Sequence, residues 1–201
     1  MKRIVLMAVL ALALPLAAFA GNVDFTNHSG TLTGSSEGLT LTGSELTEIQ
    51  GLGGGGMIQG GLGTLSFSTG ALTSGSLTTG GMFAAGGSFV ITGNGTAGIP
   101  NGVIFSGTFS GPVTWTEVTS GPNGAIYYTL TGSISGTWYN GTTVNGATTQ
   151  ITFNAGKNGF TGSVGLGSGD TVITVPEPGT LGLLGTGLVG LAGIARRKMK
   201  A

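Results

Sequence analysis

The side chains able to do chemistry are few in this chain of 201 residues. It has one histidine, His28, and no cysteine, which excludes a catalytic thiol, a thiolate zinc site and a disulfide framework. Gly34-Ser35-Ser36-Glu37-Gly38 has the spacing of a nucleophile elbow, but His28 precedes the serine. The hydrolase that uses that turn needs its histidine after the nucleophile and a parallel sheet around it. Gly51-Leu52-Gly53-Gly54-Gly55-Gly56 matches the dinucleotide fingerprint, yet no helical pattern follows it, and 43 glycines make such a match expected by chance. Glycoside hydrolysis needs two carboxylates flanking one bond. Glu45 and Glu48 are near in sequence but lie beside a glycine-rich run, and Glu117 has no evident partner. A calcium site using Asp24 or Asp170 with backbone carbonyls stays open, because carbonyl ligands leave no sequence trace. The expectation is a protein that is not an enzyme, with no catalytic residue, cofactor site or metal site assigned.

Charge placement separates the chain into three parts. Lys2 and Arg3 open it, Arg196, Arg197, Lys198 and Lys200 close it, and Lys157 is the one basic residue between. That lysine faces six acids in the body: Asp24, Glu37, Glu45, Glu48, Glu117 and Asp170. An acidic body of this kind cannot neutralise a row of phosphates, so nucleic acid is excluded as a partner. Charged residues are 7% of the chain, against about 25% in an average soluble protein, which argues against a coiled coil or a charged helical bundle.

The N-terminus reads as an address. Met1-Lys2-Arg3 is followed by an apolar run from Ile4 to Leu16, and Ala18-Phe19-Ala20 puts small residues where signal peptidase reads them. Residues 1–20 are therefore expected to be a signal peptide cut after Ala20. At the other end, Val175-Pro176-Glu177-Pro178-Gly179-Thr180 leads into an apolar stretch, Leu181 to Ala195, and then Arg196-Arg197-Lys198-Met199-Lys200-Ala201. The prolines break the preceding strand and hold the backbone extended for a protease. This segment of 15 residues makes a helix of about 22 Å, short of the roughly 30 Å hydrocarbon core, so spanning needs snorkelling or local thinning. Arg196, Arg197 and Lys198 should stay on the cytoplasmic side.

This tail resembles the PEP-CTERM sorting signal of bacteria that export proteins to an extracellular polymer matrix. The resemblance covers about the last 26 residues and rests on Pro176-Glu177-Pro178, the glycine-rich apolar segment and the basic end, in that order. It implies cutting at or near Pro176-Glu177-Pro178 by a membrane transpeptidase, an exosortase, with the chain as substrate. Another description of such tails, "ice-binding protein C-terminal", refers to the sorting signal and is weak support for ice binding by the body. The expected organisation is a signal peptide at 1–20, a Gly/Thr/Ser-rich β domain at 21–175 and the sorting signal at 176–201. The expected route is export, transient anchoring in the inner membrane through a single transmembrane helix, then the cell surface or extracellular matrix.

The elements between the two ends are short strands. Ile126, Tyr128, Leu130 and Ile134 make one apolar face against Tyr127, Thr129, Thr131 and Ser133, and Ile151 and Phe153 alternate with Thr152 and Asn154. Val103, Phe105 and Phe109 are read as a second apolar face against Ile104, Ser106 and Thr108. Ser44 to Gln50 could start one helical turn, and the eight glycines from Gly51 to Gly63 suggest a mobile loop. Asn-Gly pairs at 94, 101, 140, 145 and 158 mark turns. The fold class is all-β, an antiparallel β-sandwich or jelly roll rather than a solenoid.

The aromatic residues carry the remaining functional expectation, contact with extracellular polysaccharide by a lectin-like module. Pairing of Val113–Val118 with Ala125–Leu130 puts Trp115 on the apolar side with Tyr128 and Leu130, a core position, with a sugar platform as the alternative. Trp138 and Tyr139, beside Asn140-Gly141, are read as the better candidates for an exposed glycan contact. Outward threonines such as Thr114, Thr116, Thr129 and Thr131 offer an ice-binding variant of this reading. Asn27, Asn94 and Asn140 stand in Asn-x-Ser/Thr sequons.

Overall fold

Alternation of apolar and hydroxyl side chains folds the body into twelve strands, seen in a computed structural model that describes residues 22–119 and 124–174. The strands are β1 (Asn22–His28), β2 (Thr31–Ser35), β3 (Gly38–Gln50), β4 (Met57–Ser68), β5 (Leu72–Ser76) and β6 (Gly80–Phe83). They continue as β7 (Gly86–Asn94), β8 (Asn101–Phe109), β9 (Val113–Thr119), β10 (Ile126–Trp138), β11 (Thr143–Asn154) and β12 (Ser163–Thr174). Every pairing is antiparallel, and the described residues contain three short 3₁₀ turns and no α-helix. The signal peptide and the transmembrane segment expected at the two ends lie outside the described residues.

The hydrogen-bonded neighbours form a closed circuit: β1, β3, β4, β7, β8, β10, β11, β12 and back to β1. The expected all-β antiparallel class holds, while the two separate sheets of a sandwich are replaced by one twelve-stranded sheet closed on itself. The physical reason lies in three long strands that change partner along their length. β3 pairs with β2 through residues 38–42 and with β1 through 45–50. β10 pairs with β9 through 126–131 and with β8 through 134–138. β12 pairs with β2 through 163–165 and with β1 through 169–174. A strand that passes from one neighbour to another in this way carries the sheet around a corner, and closure removes the sheet edges it joins. Beyond the circuit, β9, β6 and β5 extend as a flange from the first half of β10.

Bulges accompany the corners and also explain two departures from the sequence pattern. In β3 the register shifts between Leu41 and Ser44 and between Leu46 and Glu48, with Gly43 at φ 68° taking the left-handed conformation one bulge needs. The buried positions are then Leu39, Leu41, Ser44, Leu46 and Ile49, a mixture of two- and three-residue spacings that imitates a helical turn. The segment from Ser44 is strand. In β8 the shift opposite Ile91 and Thr92 turns Ile104 inward beside Phe105 and leaves Val103 51% exposed, so Val103 is not on the apolar face. In the glycine-rich run the loop is confined to residues 51–56, because β4 resumes at Met57 opposite Gln50 and continues through Gly63.

The interior of the circuit is filled by large side chains. Phe25, Phe67, Phe89, Phe105, Phe109, Trp115, Tyr128, Phe153 and Phe160 are all within 1% of complete burial. Ile134 and Ile151 lie inward as the alternation requires, and Ile126 packs at the margin. Gly107 and Gly136 face one another where β8 meets β10. A methyl group on either would lie 2.2 Å from a carbonyl oxygen, of Ser135 or Ser106, so glycine is what lets these backbones approach.

Candidate functional site

The processing residues Ala18, Ala20, Pro176, Glu177 and Pro178, and the topology residues Arg196, Arg197 and Lys198, lie outside the described residues. The three aromatic candidates are inside. Trp115 sits directly opposite Leu130, is 1% exposed, and donates its indole N–H to the Leu77 carbonyl at 2.9 Å. It belongs to the core and offers no face to a sugar. Trp138 is also buried, at 5%, which corrects its reading as an exposed contact. Between Ile134 and Gly136 the register shifts, and Trp138 ends opposite Phe105 with its ring edge-on to Phe25 at 5.9 Å. Alternation then sends its neighbour outward, and Tyr139 is 48% exposed. Of the three, Tyr139 alone presents a ring to solvent.

The motifs set aside on sequence grounds have plain structural roles. Ser36 and Glu37 form the two-residue turn joining β2 to β3, with the Glu37 N–H donating to Ser35 Oγ at 3.1 Å. The glycines at 51–56 join two strands, so no helix N-terminus stands ready for a phosphate. His28 is exposed, and its Nδ1 meets the Ser29 hydroxyl. Among the sequons, Asn27 is completely buried, with Nδ2 donating to Ser44 Oγ at 2.7 Å, and cannot accept a glycan in the folded protein. Asn94 and Asn140 are exposed and use their side-chain oxygens to fix the Thr96 and Thr142 amides.

Sequence reading missed an assembly of acids. Asp24 on β1, Glu48 on β3 and Asp170 on β12 come from distant points in the chain to adjacent strands, with Thr26 opposite both Glu48 and Asp170. Asp24 Oδ1 is buried without a hydrogen-bond partner. Burial first, then the charges of Asp170 and Glu48, hold the Asp24 carboxyl above the usual aspartate range. Among the described residues no three metal-ligating side chains are arranged to hold an ion. No sequence signal could have joined these acids, because strand register alone brings them together.

Next to this patch the outer surface of the sheet is an ordered field of hydroxyls. One registered row runs Thr116, Thr129, Thr152 and Ser168 across β9 to β12. The next runs Thr114, Thr131, Gln150, Asp170 and Thr26, extending to β1. The four threonines singled out from the sequence, Thr114, Thr116, Thr129 and Thr131, are thus two cross-strand pairs on the outward side. Between the second row and the row Ser133, Thr148 and Val172 the surface forms an open trough of about 510 Å³, lined also by Pro112. Asp170 is held there by Thr26, whose hydroxyl donates to Oδ1 at 3.1 Å. Hydroxyls and an amide that both donate and accept, with one carboxylate that accepts, can satisfy a ligand rich in hydroxyl groups. A second hollow of about 400 Å³ lies over β2 and β3, lined by Thr33, Ser35, Glu37 and Thr40 among others.

Comparison with known proteins identifies the tail. Residues 174–198 match the family model of the PEP-CTERM protein-sorting motif. The motif implies an exosortase as processing partner, with export and processing at the membrane. No curated protein and no solved structure matches the chain.

Proposed function

We propose that the chain is a non-enzymatic exported protein of the cell surface or extracellular matrix, released there when its tail is cut. On this reading residues 1–20 direct export and are removed after Ala20. The apolar segment from Leu181 to Ala195 then holds the chain in the inner membrane with Arg196, Arg197 and Lys198 on the cytoplasmic side. An exosortase cuts at or near Pro176-Glu177-Pro178. The observation that carries the proposal is the sorting motif over residues 174–198. The fold favours it too: the motif begins at the last residue of β12, so a cut at the prolines leaves every strand whole. A body with one histidine and no cysteine has little with which to catalyse. Replacing Pro176, Glu177 and Pro178 together by alanine should leave the protein uncut in the membrane fraction. Unchanged processing of that variant would contradict the proposal.

A second reading is a carbohydrate-binding module of the matrix, favoured by the hydroxyl-lined trough over β9 to β12. It is compatible with the first, which concerns delivery.

A further inference from the structure

We infer that the trough over β9 to β12 is a binding groove for a neutral glycan segment. The inference rests on the carbohydrate-binding reading and gives it a site and a ligand class different from the aromatic contacts expected from sequence.

Three observations support it. Apart from Pro112, the lining residues stand on hydrogen-bonded strands, so their spacing is fixed before a ligand arrives: about 4.8 Å between strands and about 6.8 Å between alternate residues. Short, β-branched threonines lose little rotamer freedom on binding, and their methyl groups with Pro112 and Val172 supply apolar contact for the C–H face of a sugar. The polar groups are hydroxyls, the Gln150 amide and the Asp170 carboxylate, which together both donate to and accept from ligand hydroxyls.

The same chemistry selects against anionic polymers. Lys157, the one basic side chain among the described residues, lies in the 3₁₀ turn at 156–158 and not in the lining, while Asp24 and Glu48 stand beside Asp170. A uronate or phosphate polymer would meet like charge with no counterion. The second hollow, over β2 and β3, includes the β2–β3 turn and lacks this registered lining. Tyr139 projects near the far end of β10 and is outside the groove.

The test uses the full chain in a detergent without a sugar headgroup, titrated calorimetrically with six-residue glucan, mannan and galactan oligosaccharides and with a uronate oligosaccharide of equal length. At least one neutral oligosaccharide should bind and the uronate should not. Gln150→Ala should weaken binding at least tenfold with an unchanged unfolding midpoint, since its side chain is exposed. Asp170→Ala should weaken binding as much while unfolding stays cooperative, its midpoint moving only as the relieved repulsion of Asp24 and the lost Thr26 hydrogen bond require. Tyr139→Ala should bind as the parent does. Failure of every neutral oligosaccharide, equal binding of the uronate, or full affinity in both groove variants would overturn the inference. Ice-growth inhibition without glycan binding would overturn it in favour of ordered water on the threonine rows. Tail cleavage scored by mass in the producing cells separates the two ideas: normal cleavage with no glycan binding removes the groove alone.

Discussion

The rings of Trp115 and Tyr128 lie parallel, 4.6 Å apart between centroids and 1° apart in plane, inside the closed sheet. Each also anchors a loop through its polar tip. Trp115 donates to the Leu77 carbonyl, and Tyr128 donates to the Thr78 carbonyl at 2.6 Å while accepting the Phe160 N–H at 3.2 Å. The pair therefore ties the β5–β6 turn and the segment before β12 to the core that β9 and β10 build. It is a structural centre, and its aromatic surface is consumed by packing.

Tyr128→Phe keeps the ring and removes the hydroxyl, leaving the buried Phe160 amide without its partner and freeing the Thr78 carbonyl in its exposed turn. Stability should fall by about 1–3 kcal/mol. Denaturant unfolding checks this, with a lower midpoint and an unchanged slope as the expected result.

The contrast between Trp138 and Tyr139 predicts opposite behaviour of adjacent residues. Trp138→Ala should cost about 3–5 kcal/mol, because it empties a space between Phe25 and Phe105. Tyr139→Ala should change stability by no more than about 0.5 kcal/mol. A mild effect at 138 and a large one at 139, measured by thermal unfolding, would reverse the assignment of inside and outside.

Gly136→Ala should be destabilising by about 1–3 kcal/mol, since the new methyl group meets the Ser106 carbonyl and the Gly107 backbone. Alanine at Gly141, whose surroundings are open, tests conformation instead: its φ of 85° makes any loss one of backbone strain. Amide exchange along β8 and β10 separates the two, with local opening expected for Gly136→Ala alone.

How much of this was legible in the sequence can be argued from single strands. The inward faces of β10 and β11 follow from simple alternation, and Tyr128, Leu130, Ile134, Ile151 and Phe153 lie where that pattern puts them. Alternation fails at bulges, because one extra residue reverses the phase of everything after it. That is why Val103 faces out and the inward spacing in β3 imitates a helix. Glycine gave the opposite error: read as loop formers, Gly60, Gly61 and Gly63 belong to a strand, and at Gly63 a methyl group would lie 1.9 Å from the Thr92 carbonyl oxygen. The meeting of Asp24, Glu48 and Asp170, and of the threonine rows with Gln150, depends on long-range register that no local pattern carries.

The acid patch gives a pH prediction. Asp24 holds its proton more tightly in the folded protein than in the unfolded chain, because of burial and the neighbouring Asp170 and Glu48. Its contribution to stability therefore improves as pH falls through the raised value toward the ordinary aspartate range, and is unfavourable at neutral pH. Asp24→Asn should raise the unfolding temperature at pH 7, and the gap should narrow as the pH is lowered. A gap that does not change with pH would show that Asp24 is not held in this way.

The central claim is that the body is delivered and then freed from its tail. The direct measurement is the intact mass of the protein recovered from membranes and, separately, from the medium of the producing cells. The account predicts a product that starts at Gly21 and ends near Val175, with or without added groups, so that β1 and β12 are both complete. A surface product that still carries Arg196 to Ala201 would contradict it and make the tail a permanent anchor.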